Sequence, residues 1–202
     1  MSTAVATSRH ERRRRETADR LVEAAARLFA ERGFEATTVA DICLRADVAR
    51  QTFFNHFETK HDLAQELARR GHEFMLKTLE TARREGRSTG ERIARLFREI
   101  HLAAAAVGPM HQDLVSQVIR ASYQTTDPAR TRALQRAMEG LLRAGRAQGD
   151  VSRRHPVEDQ AALVLGALEH LMFDWTHLAG FPIAERSARM ARLLADALAP
   201  RA

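Results

Sequence analysis

TTVADICLRADVARQTFFNHFETKHDL, residues 37–63, decides how this chain reads. After Thr37 and Thr38, either of which can cap a helix, Val39, Ile42, Cys43 and Ala46 recur at i, i+3, i+4 and i+7. That spacing predicts one short helix. A turn at Ala46-Asp47-Val48 leads into a second, expected over Arg50 to Phe57, and another helix starts near Lys60. Two short helices joined by a tight turn let the second enter the major groove of duplex DNA while the first braces it. The residue types divide accordingly. Val39, Ile42, Cys43, Val48, Phe53 and Phe57 supply an apolar wedge between the helices. Arg50, Gln51, Thr52, Asn55 and His56 are left polar and outward. Arg50 has the donor geometry for guanine and Gln51 for adenine, while Thr52 can meet a base edge or a thymine methyl. Thr38, His56 and Lys60 are candidates to hold phosphates, which position a reader without specifying sequence.

Upstream, a helix is expected from about Arg12 to Arg32, with Leu21, Ala25, Leu28 and Phe29 on one face and Gly33 as its stop. Residues 1–10 read as a loose, flexible tail. The run Arg12–Arg15 fits either an arm reaching DNA or a solvated helix start. Downstream, helices are expected at 88–106, 112–123, 128–148, 156–179 and 182–198, three of them opening on Pro128, Pro156 and Pro182. The plan is a head, residues 1–62, and a larger helical body, residues 63–202.

Composition agrees with an all-α fold. Ala, Leu, Arg and Glu dominate the 202 residues, with ten Gly, five Pro and little sustained alternation. The formal charge is +6, yet residues 1–62 hold 11 basic against 10 acidic side chains, so local arrangement rather than net charge marks the DNA-binding part. The single cysteine, Cys43, cannot form an internal disulfide and falls on an apolar face, which makes it a core thiol of a reducing compartment. The longest apolar run, Ala161 to Leu168, is far short of a membrane span. A cytoplasmic protein without membrane contact is expected.

The stretch quoted above, with the upstream LVEAAARLFAERGFEATTV, resembles the tetracycline-repressor (TetR) family of regulators, from about Thr17 to Leu63. The resemblance implies that Arg50, Gln51, Thr52 and Phe54 face the groove, and that Thr38, His56 and Lys60 grip phosphates. It also implies a homodimer on a palindromic duplex operator, a small-molecule effector that releases the DNA, and repression as the default. Three positions depart from the family pattern. Asp47 stands where glycine is usual, Ala49 replaces a hydroxyl cap, and Phe54 replaces tyrosine.

For the body, the resemblance implies pairing through residues 156–179 and 182–198. Ala161, Leu165, Leu168, Met172 and Trp175 on the first, and Ala188, Ala191, Leu194, Ala195 and Leu198 on the second, are the expected seam; filling the subunit's own core is the alternative. An effector site is expected among Phe74, Phe97, His101, Met110, Tyr123, Met138, Met172 and Trp175, suited to an apolar or aromatic molecule. His170, Asp174 and His177 share one helix face and are competent ligands, but lack a fourth partner, so no metal and no cofactor are expected. An enzyme is not expected, because no phosphate loop, nucleophile elbow or paired-histidine motif is present. The remaining alternative is a ligand-binding helical protein whose DNA binding is weakened or lost.

Overall fold

The computed structural model describes residues 2–107 and 128–200, and among them holds eight helices and no strand. They are α1 (Ser2–Arg32), α2 (Val39–Ala46), α3 (Arg50–Phe54), α4 (Lys60–Glu85), α5 (Thr89–Val107), α6 (Pro128–Gln148), α7 (Val157–His177) and α8 (Ile183–Leu198). The all-α expectation holds. The helix expected over 112–123, with Met110, His111 and Tyr123, lies outside the described residues.

Two expectations need correction. Residues 1–10, expected as a loose tail, are helical from Ser2. Nothing in STAVATSRHE breaks a helix, since it holds neither Gly nor Pro. Arg12 and Glu16, 3.5 Å apart, add an i,i+4 pair just beyond it. The third helix, expected to run to Phe57, ends at Phe54, although the Asn55, His56 and Phe57 amides still donate to carbonyls three or four residues back.

The chain divides into two compact units between Arg69 and Arg70, inside α4 rather than at its first turn. The first unit is built on one apolar cluster: Leu21, Ala25, Leu28 and Phe29 from α1, Ile42 and Cys43 from α2, and Phe53 from α3. Leu63 and Ala64 are buried in the same cluster and Leu67 packs on it, so the opening turns of α4 complete this core. Gly33 ends α1 at φ 81°, a conformation that costs glycine little, with its amide donating to the Phe29 carbonyl at 2.9 Å.

In the second unit α5 lies along α8, α6 along α7, and α7 against α8. Ile93, Leu96 and Phe97 of α5, Met138, Leu141 and Leu142 of α6, Val164 and Leu168 of α7 and Leu194 of α8 are buried. Ser187 donates its hydroxyl to the Phe97 carbonyl at 2.9 Å, pinning α8 to α5 in the core. The start of α5 is capped from a distance. Asp150 accepts from the Thr89 amide at 2.7 Å and from the Thr89 hydroxyl at 2.8 Å.

Gly145 exists for that cap. A Cβ there would strike Thr89 Oγ1, lie 2.6 Å from Val151 Cγ2, and lie 2.7 Å from the capping Asp150 carboxylate. Gly140, on the same helix, has nothing within 4 Å of an added Cβ. Gly145→Ala should therefore destabilise the chain by about 1–3 kcal/mol. Gly140→Ala should stabilise it by about 0.5–1 kcal/mol, the ordinary helix-propensity gain. Urea unfolding of the two variants, expected to shift in opposite directions, checks this.

Candidate nucleic-acid interface

The α2–α3 pair is held by devices that name most of its polar residues. Of the two candidate caps, Thr38 is the one that acts. Its hydroxyl accepts from the Asp41 amide at 3.1 Å, and the Thr38 amide donates back to Asp41 Oδ2 at 2.9 Å. Thr37 is buried and donates to the Gly33 carbonyl at 2.8 Å. The same box recurs at α4, where Thr59 and Asp62 satisfy each other's amides at 3.2 and 2.7 Å. Hydrogen bonds from Thr38 hold the Asp41 carboxyl below its ordinary pKa. A lowered folded pKa means that this contribution is present at neutral pH and is lost as pH falls through the carboxylate range.

Asp47 closes the turn. It sits in the left-handed region, φ 52° and ψ 55°, with its amide on the Cys43 and Leu44 carbonyls. Aspartate takes this conformation better than most residues, which is how the chain does without the glycine expected there. Arg20 of α1 braces the same turn. Its guanidinium donates to the Ala46 carbonyl and, at 2.7 Å, to the Asp47 carbonyl, and lies 3.6 Å from the Asp47 carboxylate. Arg45 forms a two-pronged pair with Glu31, at 2.8 and 2.7 Å, which ties α2 to α1. That pairing lowers the Glu31 pKa.

The α3 surface divides as the sequence suggests. Phe53 has no exposed surface and packs on Phe57 at 5.9 Å between ring centres. Arg50, Gln51, Phe54 and Asn55 are exposed and Thr52 is half-buried. Gln51 donates to Asn55 Oδ1 at 3.4 Å, and Arg50 hangs over the Phe54 ring at 6.0 Å. Ala49 at the start of α3 makes no side-chain cap. Cys43 is buried, and that burial raises its thiol pKa, as suits a core residue.

The three phosphate candidates stand differently from one another. Thr38 is exposed, but its hydroxyl already donates to Asp41 at 2.6 Å. His56 is half-buried; burial first, then Arg14, lowers its pKa, so it presents a neutral ring with a single N–H to donate. Lys60 has an internal task that its sequence position does not reveal. Its ammonium donates to the Phe34 and Thr37 carbonyls at 2.6 and 2.9 Å and sits 4.2 Å from the centre of the Phe34 ring. Arg20 and the Thr59–Asp62 box were missed altogether in the sequence. The box has a T-x-x-D signal, whereas Arg20 has none because its partners lie 26 and 27 residues away. Leu44, 83% exposed on α2, was also unanticipated.

In the second unit, the expected effector residues differ in their surroundings. Phe97, Met138 and Trp175 are core residues, Met172 is half-buried and Phe74 is 45% exposed. Of the six described, only His101 lines a groove that runs between α5 and α8. The residues of the expected dimer seam divide in a similar way. Ala161, Leu168, Trp175, Ala191, Leu194 and Leu198 are buried in the unit's own core, Leu165, Met172 and Ala195 are half-buried, and Ala188 is exposed; Leu163, Phe173 and Leu193 are large apolar side chains left more than half exposed on the same two helices. His170 lies 3.6 Å from Asp174, but His177 turns to the Thr176 hydroxyl and the Phe173 carbonyl. Among the described residues, no group of three potential ligands is placed to hold a metal.

Comparison with known proteins bears on the first unit most directly. The family model for bacterial regulatory proteins of the tetR family matches residues 21–67. The HTH-type transcriptional repressor KstR2 of Mycobacterium tuberculosis (strain H37Rv) is 45% identical over 49 residues, 24% of each protein. The chain thus matches about a quarter of the length of this curated relative. Over the whole fold, TylP, a tetR regulator from Streptomyces fradiae, superposes with a TM-score of 0.64 at 26% identity, covering 92% of this chain and 87% of that one. The fatty acid degradation regulator FadR from Bacillus halodurans shares the fold, with a TM-score of 0.71 at 18% identity, covering 88% and 93%.

The internal bonds of Lys60 give a test. Lys60→Ala should lower stability by about 1–3 kcal/mol in the absence of DNA, because two half-buried carbonyls lose their donor. Arg50→Ala, at an exposed position, should stay within about 0.5 kcal/mol of the parent. Denaturant unfolding of both variants in DNA-free buffer reads the difference.

Proposed function

Because the chain belongs to the tetR family of bacterial regulatory proteins, we propose that it is a transcriptional repressor that binds a palindromic operator as a homodimer and leaves it when a small effector binds. The observation that carries this is the two-sided α3. Phe53 is anchored in the core, and Arg50, Gln51 and Asn55 are exposed on the opposite side, where they can meet base edges. Thr52 and Phe54 flank that edge. Around it, Thr38, His56 and Lys60 are the candidates for phosphate contacts, each with the internal partner or lowered charge described above. The exposed Arg12–Arg15 stretch of α1 adds cations for the backbone.

Pairing is assigned to α7 and α8, with their large outward side chains added to the half-buried and exposed part of the expected seam. Leu163 and Phe173 on α7 and Leu193 on α8 are each more than half exposed in one subunit. Side chains of this size on neighbouring helices are what a self-complementary interface buries. An effector would act by favouring a spacing of the two heads that no longer fits the operator. No described helix is long and apolar enough to cross a membrane, and the cytoplasm is the compartment in which such a regulator would work.

A second reading, a helical ligand-binding protein with weakened DNA binding, draws on the exposed Asp47 carboxylate, the uncapped Ala49 and the missing hydroxyl at Phe54. A mobility shift with duplex covering the upstream region of its own gene, and then selected genomic fragments, separates the two. A competitor-resistant shift with two chains per site is expected. Arg50→Ala should weaken it about 10–100-fold, the worth of one good base contact, while unfolding stays unchanged. Weak binding with steep salt dependence on every fragment would favour the second reading. The pairing surface has its own measurement: Phe173→Asp with Leu193→Arg should convert a dimer to a monomer by light scattering.

A further inference from the structure

A groove of about 520 Å³ runs between α5 and α8, within the second unit. Its chemistry is two-sided. Ala94, Ala188 and Ala191 give it small apolar walls, and Arg95, Arg98 and Arg192 line it with cations. One carboxylate, Glu91, is present, and it already accepts from the Arg87 amide at 2.8 Å.

The cations are not equivalent. Arg95 pairs with Glu85 at 2.7 Å and Arg98 with Glu99 at 3.1 Å. Arg192 has no hydrogen bond or ion pair among the described residues. His101 also lines the groove, and its Nδ1 is buried without a hydrogen-bond partner there. A buried ring nitrogen left unsatisfied is unusual, because such groups normally find a partner. An unpaired guanidinium therefore lines one apolar-walled space, with an unsatisfied imidazole nitrogen buried in the lining beside it.

We propose that this groove binds an organic anion with an apolar body, whose terminal carboxylate or phosphate pairs with Arg192 and hydrogen-bonds His101. A guanidinium offers the planar donor fork that either headgroup accepts. The alanine walls leave room for a hydrocarbon portion, and the net positive lining excludes a cationic one. The ligand class differs from the neutral aromatic molecule suggested by Phe97, Met138 and Trp175, which are closed in the core. Its regulatory consequence rests on the effector reading above, but binding itself does not.

Calorimetry on the full chain, with decanoate, decyl phosphate and decanol below their aggregation limits, tests this. At least one anion should bind one per chain, and decanol at least tenfold more weakly; the tighter of the two anions identifies the headgroup. Arg192→Ala should weaken the anion about tenfold and leave decanol unchanged. Ala188→Trp, at an exposed position in the groove, should abolish binding with an unaltered circular dichroism spectrum. Equal affinity for decanol and both anions, or an Arg192→Ala protein that binds like the parent, overturns the proposal. So does an Ala188→Trp protein whose mass halves by light scattering, because the groove would then belong to a second copy. Anion binding that leaves operator binding intact upholds the groove and removes it from the effector reading. Release of operator by a neutral compound, with neither anion bound, overturns the groove and leaves the effector reading standing.

Discussion

Phe53 is the constraint on which the head depends. A helix of five residues has no stability of its own, since nucleation costs more than so few backbone bonds return. What holds α3 in place is a ring with no exposed surface, packed among Phe57, Ile42 and the α1 cluster. Once that ring is fixed, the rotation of α3 about its axis is fixed too. Arg50, Gln51, Phe54 and Asn55 must then point outward. The outward surface of α3 is a consequence of core packing, and a polar substitution at Phe53 would scatter it without touching any of those four residues.

The second layer of control is electrostatic and acts on backbone rather than on side chains. Arg20 collects the carbonyls at the end of α2, and Lys60 those between α1 and α2. Each satisfies helix-end or turn carbonyls that would otherwise be left without donors. Basic residues in a DNA-binding head are readily taken for phosphate ligands. Here two of the most carefully placed ones shape the scaffold, and Arg50 of α3, exposed above the Phe54 ring, makes no backbone contact of that kind. The left-handed Asp47 fits the same logic: its awkward backbone is tolerated because Arg20 holds both its carbonyl and its charge.

How much of this could be read from the sequence follows the range of each interaction. Periodic features were legible, including the α2 face, the Gly33 stop, the body helices among the described residues and the inward Phe53. Caps with a four-residue signature were legible in principle: the cap of α2 was narrowed to Thr37 or Thr38, of which Thr38 acts, whereas Thr59 went unnamed. Contacts between residues far apart in sequence were not legible. Arg20 with Ala46 and Lys60 with Phe34 leave no local pattern. The body shows the same limit more sharply. An apolar residue on a helix says that one face is buried, not whether its own subunit or another does the burying, so Trp175 and Leu168 were assigned to a seam although they fill the core.

Helix α8 illustrates that ambiguity, because it carries three surfaces. Ile183, Ala191, Leu194 and Leu198 are buried in its own unit. Leu193 projects outward, on the side suited to a second copy. Ala188 and Arg192 border the groove shared with α5. Three faces on one helix of sixteen residues mean that a molecule held against Arg192 presses on the same rigid rod that presents Leu193. A packed helix moves as a unit rather than bending locally, because interiors resist continuous deformation. A ligand in the proposed groove site would therefore not need to reach the proposed pairing surface to be felt there; it would need only to shift the helix that both surfaces share.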